Sequence, residues 1–540
     1  EGSFKASTAN ALTFEDGSVF SAVNPGNSSV LTISVPLGLQ YGTNQTGVIT
    51  NRANLSAGQD LTLSAGNLDL QGQLLAVGDM TLEAQDTVQI RDSGTAPFIA
   101  AAGGQLLVQG NQAVDIFALN HPDSGLFSGG DMVLRSASPV LGDAHYWSGG
   151  SFRIEQLDGN LGGLESPNDP VVRANGDVIF DSYEGASLHI FAGGSVEISD
   201  FIEITGPDPV NGLQETVTLS DGTTIAIDGI NEPTVDIRAG LDPAQIGVPF
   251  LSGAGDFLPG LNDLVPPTSA DITIGKITNN GGKVFLTNQY QPNLLLDTFN
   301  GIIVREIDAT ATDDLGGGSV IIDSRSLAIL NGTVDVSASD VSGTFFGNGG
   351  DVKLIAEGDI ILNRGADISS NGLLGGNIIF NSKDEISIAE SFIGSRTHTN
   401  VVGVTGGEIQ VTANSFSLTE GSTLATITSG AGDAGAVKIA ATDLVRLDGE
   451  SNGGTPSRIF SRVNPAAEGN SGGTELTTST LELFNGAQVS GSTEGVGDGG
   501  TVKITATNSV RLDGESSNGL LVVYSARLIR KLRATPGESS

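Results

Sequence analysis

The stretch "GGTVKITATNSVRLDGES" at residues 499–516 is nearly repeated as "AGAVKIAATDLVRLDGES" at 434–451. In each, apolar residues alternate with polar ones. A period of two puts Val502 and Ile504 on one face of a strand and leaves the other face polar. A short polar step follows, then a second alternating pair, Val510 and Leu512. Looser copies open on glycine pairs at Gly349, Gly375, Gly406 and Gly472. Several add a Gly-Ala turn and a third short strand, as in "GADISS" at 365–370 and "GAQVSG" at 486–491. Units therefore start 26 and 31 residues apart (349, 375, 406), and the 65-residue offset between Gly435 and Gly500 spans two unequal units. This is the spacing of a repeat architecture.

Three short strands per unit, each apolar on one side and bounded by glycine turns, stack into three parallel sheets around an aliphatic interior. The predicted fold is all-β: a right-handed parallel β-helix, a three-sheet solenoid. One coil alone cannot bury its apolar side, so stability belongs to the stack. About 20 coils at roughly 4.8 Å each predict a rod on the order of 100 Å long. Earlier segments follow the pattern less strictly, as in "GGDMVLRSASPVL" at 129–141 and "GGSVEISDFIEI" at 193–204. It breaks between 205 and 268, which hold eight of the 19 prolines. Proline cannot donate to a ladder, so this stretch reads as an irregular insertion outside the stack.

Composition supports small aliphatic layers. The 540 residues include 76 glycines, and only 5% are aromatic. Charged residues are 16% of the chain, yet the net charge is −37. Nucleic acid and anionic membrane surfaces need clustered Lys and Arg, so neither is an expected partner. There is no cysteine, which excludes disulfides, thiolate metal sites and cysteine nucleophiles. No apolar run is long enough to span a bilayer as a helix. The chain opens on Glu1 without Met, and we read it as a piece of a longer protein whose targeting segment lies upstream.

Non-repeating segments carry a family resemblance. "VFSAVNPGNSSVLTISVPLGLQYG" at 19–42 resembles the later part of the secretion domain of filamentous-haemagglutinin-like exoproteins, in their large cyanobacterial-type branch. "LSDGTTIAIDG" at 219–229, "PTVDIRAG" at 233–240 and "VFLTNQYQPNL" at 284–294 are also similar to segments of that branch. The resemblance implies a passenger of two-partner secretion, threaded through an outer-membrane transporter and folded as a β-helix outside the cell. It implies a secreted or cell-surface exoprotein acting as an adhesin-like scaffold, with surface glycans or cells as contact partners. The upstream strands and Asn-Pro motifs that the family uses to engage its transporter are expected to be missing here. The resulting division is 1–50, the C-terminal part of the secretion domain; 51–204, irregular coils; 205–268, the proline-rich insertion; 269–516, regular Gly-Gly coils; and 517–540, an aberrant basic tail. We read that tail, "SARLIRKLRATPGESS" from Ser525, as the product of a frameshift.

The chemistry-bearing residues give no constellation. "GAGDAG" at 430–435 and "GVGDGG" at 495–500 match G-x-G-x-x-G, but a strand follows where a dinucleotide site needs a helix. Gly-Asp turns suggest calcium only in tandem nine-residue copies, which are absent here. His121, His145, His189 and His398 lie in unrelated contexts and read as surface or packing residues. Tyr146 and Trp147 could stack a sugar ring, but read better as an aromatic pair capping a coil. A polysaccharide-cleaving enzyme is the alternative function, since β-helices can align carboxylates along one sheet. "TDDL" at 312–315 supplies one Asp pair without the neighbours expected in pectin hydrolases. A purely structural sheath protein is the third reading. No catalytic, cofactor-binding or metal residue is assigned, no cofactor is expected, and the chain is read as non-enzymatic.

Overall fold

A computed structural model describes residues 2–14, 19–23, 36–41, 47–169, 171–247, 267–311, 316–339, 345–363, 365–519 and 522–525. They form a parallel β-helix with three faces. The first face starts at Phe4–Ser7 and ends with residues 509–513. The second runs from Val48–Asn51 to Val523–Ser525. The third runs from Leu55–Ala57 to residues 502–506.

The interior is built as the alternation demands. On the third face one inward row reads Leu74, Ala100, Leu126, Tyr146, Val172, Ile190, Ile237, Leu286, Ile322, Leu354 and Phe380, each paired with the next coil. These side chains belong to one continuous core. The two opening strings are single strands, Val437–Asp448 and Val502–Asp513. Each bends at its polar step, so that 437–441 lie on the third face and 444–448 on the first.

The glycine pairs have a steric cause. A Cβ on Gly435 would lie 2.0 Å from the Gly407 carbonyl oxygen, one on Gly407 2.0 Å from that of Gly376, and one on Gly376 2.2 Å from that of Gly350. Successive corners stack too closely for any side chain. Beside them, buried hydroxyls reach across the interior to the glycine carbonyls: Ser370 donates to Gly350 at 2.7 Å, Ser395 to Gly376 at 2.9 Å and Ser461 to Gly435 at 3.0 Å. These three hydroxyls are thereby satisfied inside the core.

The Gly-Asp turns also have an internal role. The carboxylate of Asp79 accepts the Gln105 amide, that of Asp131 the Ser151 amide, and that of Asp351 the Asn377 amide, at 2.7–2.8 Å. Each aspartate thus ties its coil to the next one.

Three expectations change. Among the described residues the first face stacks seventeen strands, a rise of roughly 80 Å rather than 100 Å at the usual strand spacing. The 205–268 stretch is not wholly outside the stack, because Thr234–Arg238 is a third-face strand between Leu188–Ala192 and Lys283–Thr287. Pro233 precedes that strand, where its missing N–H breaks no ladder bond. The described remainder holds an antiparallel hairpin, Gln214–Thr218 with Thr224–Asp228, and one helical turn, Pro243–Ile246. Third, Val523–Ser525 still pairs with Gln488–Thr493, so the solenoid continues into the stretch read as an aberrant tail. Residues 526–540 and the "TDDL" pair at 312–315 lie outside the described residues.

Candidate functional site

Two regions depart from the plain coil grammar. The first is the N-terminal end. Phe4–Ser7 pairs with Leu61–Ala65, and a small sheet outside the stack comes before the chain joins the other two faces at Val48–Asn51 and Leu55–Ala57. Ala11–Phe14 then forms an antiparallel sheet with Val19–Ser21 and Pro36–Gln40. Thr8 fastens this excursion by accepting the Gly66 amide at 3.1 Å, and Tyr41 by a 2.5 Å bond to Ser64. Phe4, Val19, Phe20, Val23 and Val48 are exposed at this end. Phe4–Ser7, Val48–Asn51 and Leu55–Ala57 pair on one side only among the described residues, leaving backbone donors and acceptors as an open edge.

The second region lies on the outside of the third face. One outward row reads Leu75, Ala101, Phe127, Trp147, Arg173, Phe191 and Arg238. The hairpin and the 243–247 turn wall this row on one side. They leave two adjoining open hollows of about 560 and 340 Å³ that share Arg173, Leu213 and Gln245. The hairpin is docked, since Ser220 donates to the Asp323 carboxylate and Lys353 pairs with Asp221 at 2.7 Å. Beneath it Val217, Leu219 and Ile227 pack on Phe285, Ile321 and Ile355.

Tyr146 and Trp147 do not act as a pair. As neighbours in one strand they point to opposite sides. Tyr146 faces the core and donates its hydroxyl to the Gly142 carbonyl at 2.9 Å. Trp147 faces outward beneath the turn and donates Nε1–H to the Gly247 carbonyl at 2.9 Å. Arg173 lies 4.4 Å over the Phe191 ring. Burial, then the nearby Arg238 charge, lower its pKa.

Below the groove sits a buried charge cluster. Asp236 and Arg238 are 0% and 1% exposed. Arg238 donates to both Asp236 oxygens at 2.8 Å and also pairs with Glu215. The Leu213 amide donates to His189 Nε2, which leaves the Nδ1–H for Asp236 at 3.3 Å. Burial alone would raise the Asp236 carboxyl, but the Arg238 charge and the His189 and Arg238 bonds outweigh it and hold its pKa below the usual range.

The four histidines stay apart. His189 belongs to this cluster. His145 lies 2.6 Å from the buried Asp169, whose bond raises the histidine pKa. His121 accepts the Asp123 amide, and His398 stacks on Phe345 at 3.9 Å. Among the described residues no group of three His, Asp or Glu side chains could hold a metal. At 430–435 a turn and the Val437–Asp448 strand occupy the place of a dinucleotide-binding helix.

Residues 1–154 match the family model of the TPS secretion domain. The chain carries a two-partner-secretion domain. The match covers the N-terminal excursion, the open edge and the coils through Phe152, running well past the boundary expected at residue 50. It supports a secreted exoprotein of the filamentous-haemagglutinin type, and the secretion domain implies a cognate outer-membrane transporter. Among the described residues no helix is long and apolar enough to cross a membrane. No curated protein and no solved structure matches the chain.

Proposed function

We propose that this two-partner-secreted exoprotein works outside the outer membrane as an elongated, adhesin-like contact scaffold. The observation that carries the reading is the sealed interior. Apolar rows run from coil to coil along the whole stack, so the chemistry offered to a partner lies on the outer faces. A regular rod holds such faces at a distance from whatever anchors it, which suits reach and contact. In the groove, Glu215 and Asp236 are engaged by Arg238, and Asp169 faces His145. Those carboxylates serve as internal counterions, which favours binding over glycoside cleavage.

On this reading the outer-membrane transporter recognises the secretion domain, whose family model matches residues 1–154. The test uses the purified chain on intact cells and on polysaccharide-coated surfaces, with reducing ends assayed in parallel. Retention without release of reducing ends is the expected result. Sustained release of reducing ends would replace the scaffold with an enzyme.

A further inference from the structure

A third group of residues, on the second face, has no role in the coil grammar. Three adjacent strands, Phe392–Thr397, Thr423–Thr428 and Arg458–Val463, are in register. Their outward rows are Phe392, Thr423 and Arg458; Gly394, Ala425 and Phe460; and Arg396, Ile427 and Arg462. Phe392, Ala425, Ile427 and Phe460 form an apolar patch separate from the core. Arg396, Arg458 and Arg462 surround it. Arg458 and Arg462 each lie 5.2 Å from the centre of the Phe460 ring.

These arginines lack the partners that other cations here possess. Lys276, Lys383, Lys438 and Lys503 each pair with a glutamate, and Arg135 and Arg446 with carboxylates. Among the described residues no carboxylate is within ion-pair distance of Arg396, Arg458 or Arg462. Nε of Arg396 and of Arg462 is buried with no hydrogen-bond partner. Arg458 has only the Thr423 hydroxyl, at 3.1 Å. The flanking rows are neutral: Asn371 lies beside Arg396, and Gln488 and Ser492 lie beside Arg458 and Arg462. The cluster repels itself. Burial and then the Arg462 charge lower the pKa of both Arg396 and Arg458. In a chain of net charge −37 with 25 Lys and Arg, acids to pair them are abundant elsewhere. Leaving buried guanidinium donors unpaired has a cost that an incoming oxyanion removes.

We propose that Arg396, Arg458 and Arg462 form a binding site for an acidic polysaccharide, its carboxylate or sulfate groups on the guanidinium forks and a sugar ring against the half-buried Phe392. The geometry suits a chain ligand more than a single ion. The Arg458 and Arg462 guanidiniums, each 5.2 Å from the centre of the Phe460 ring, are at most about 10 Å apart, and Arg396 and Arg462 are two rungs apart, roughly 10 Å. Charges at such intervals match a polymer with one anionic group per disaccharide. Guanidinium forks take planar carboxylates and sulfates bidentately, and an aromatic floor takes the C–H face of a sugar. This site deepens the contact-scaffold reading and rests on it.

The test measures binding of the full chain to polygalacturonate, dextran sulfate and neutral dextran by biolayer interferometry at several salt concentrations. The chain should bind one or both anionic polymers, weaken as salt rises above physiological strength, and ignore neutral dextran; the two anionic arms separate carboxylate from sulfate. The triple variant R396Q/R458Q/R462Q should lose about tenfold or more in affinity. The variant K276Q/K383Q/K503Q, with the same charge change at paired surface lysines, should stay within about twofold. On the wild-type chain, dextran sulfate should shield the three arginines from phenylglyoxal. Equal binding by the two variants, absence of shielding, or no binding to either polyanion overturns the proposal. A chain that adheres to cells yet binds neither polyanion loses this site and keeps the scaffold reading. A chain that binds polyanion but not cells does the reverse.

Discussion

Replacing Gly407 by alanine tests whether the glycine pairs are steric corners. The added Cβ would lie 2.0 Å from the Gly376 carbonyl oxygen, 2.1 Å from its carbon and 2.7 Å from the Asn377 nitrogen. All three are backbone atoms, so no side-chain rotation relieves the contact. The corner must spread, and the 2.7 Å bond from the Gly407 amide to the Gly375 carbonyl spreads with it. Overpacking of this kind costs about 1–3 kcal/mol, or about 5- to 150-fold in a local opening constant. Each coil touches only its neighbours, so the loss should be local. Amide exchange should quicken in Ile378–Ser382, Ile409–Thr419 and Val437–Asp448, and stay unchanged in Met80–Ala84. The control is Gly206→Ala, where a Cβ meets nothing within 4 Å and φ is not left-handed. That change should be neutral or slightly stabilising through the unfolded chain. If both variants exchange alike, the steric account of the repeat is wrong.

Removing the Asp236 carboxylate by Asp236→Ala leaves the buried Arg238 guanidinium with Glu215 alone, and should weaken the Thr234–Arg238 region by about 3 kcal/mol, the low end for a broken buried pair, read as accelerated exchange there. The double change Asp236→Leu with Arg238→Met should cost much less, which a thermal melt of both variants checks. Trp147 is the only tryptophan and is 3% exposed beneath the 243–247 turn, so its emission should be blue-shifted and resist iodide quenching. A water-like emission maximum would refute the covered groove. Burial first, and then Arg396, lower the His398 pKa from 6.5 to about 4. Below pH 6.5 the unfolded chain therefore takes up a proton that the folded chain refuses, and stability falls until the folded residue titrates near pH 4. His398→Gln should flatten that part of a pH–stability curve, whereas an unaltered slope would show that the ring is not held neutral.

The coil interior was legible because it is local. Val502, Ile504, Val510 and Leu512 announce their side by alternation, and their partners recur within a few tens of residues. The glycine corners were legible as turns, although their reason, a backbone of the adjacent coil 2 Å from any Cβ, is a tertiary fact. The Thr234–Arg238 strand was hidden by the prolines around it. Its pattern, Val235 and Ile237 inward, is sound but only five residues long. The secretion-domain extent was hidden for a related reason, since its later coils follow the same alternation as the rest of the rod. The outer rows could not be read by spacing. Phe127, Trp147, Arg173, Phe191 and Arg238 are neighbours across coils of unequal length, so no fixed interval joins them. Arg396 and Arg462 likewise meet only after the coils are set in register, with Ile427 between them. Laying the coils beneath one another from their glycine pairs is the one operation on the sequence that would have exposed both rows.

That alignment also changes the meaning of the net charge. A chain at −37 should repel an acidic polymer, and the sum alone argues against the site on the second face. Much of the acid is nevertheless committed to the fold. Asp79, Asp131, Asp351 and Asp433 each accept an amide hydrogen from the next coil. Glu306, Glu357, Glu408 and Glu475 face lysines. Repulsion between exposed charges also fades beyond a Debye length of about 8 Å at physiological salt, less than the span of the arginine cluster itself. What a polyanion meets at close range is therefore the local set of three guanidiniums among neutral neighbours, not the total. Lowering salt lengthens both the attraction to that cluster and the repulsion from the rest of the rod. Polyanion affinity should consequently pass through a maximum at low to intermediate ionic strength, whereas binding to an extended basic surface would rise steadily as salt is removed.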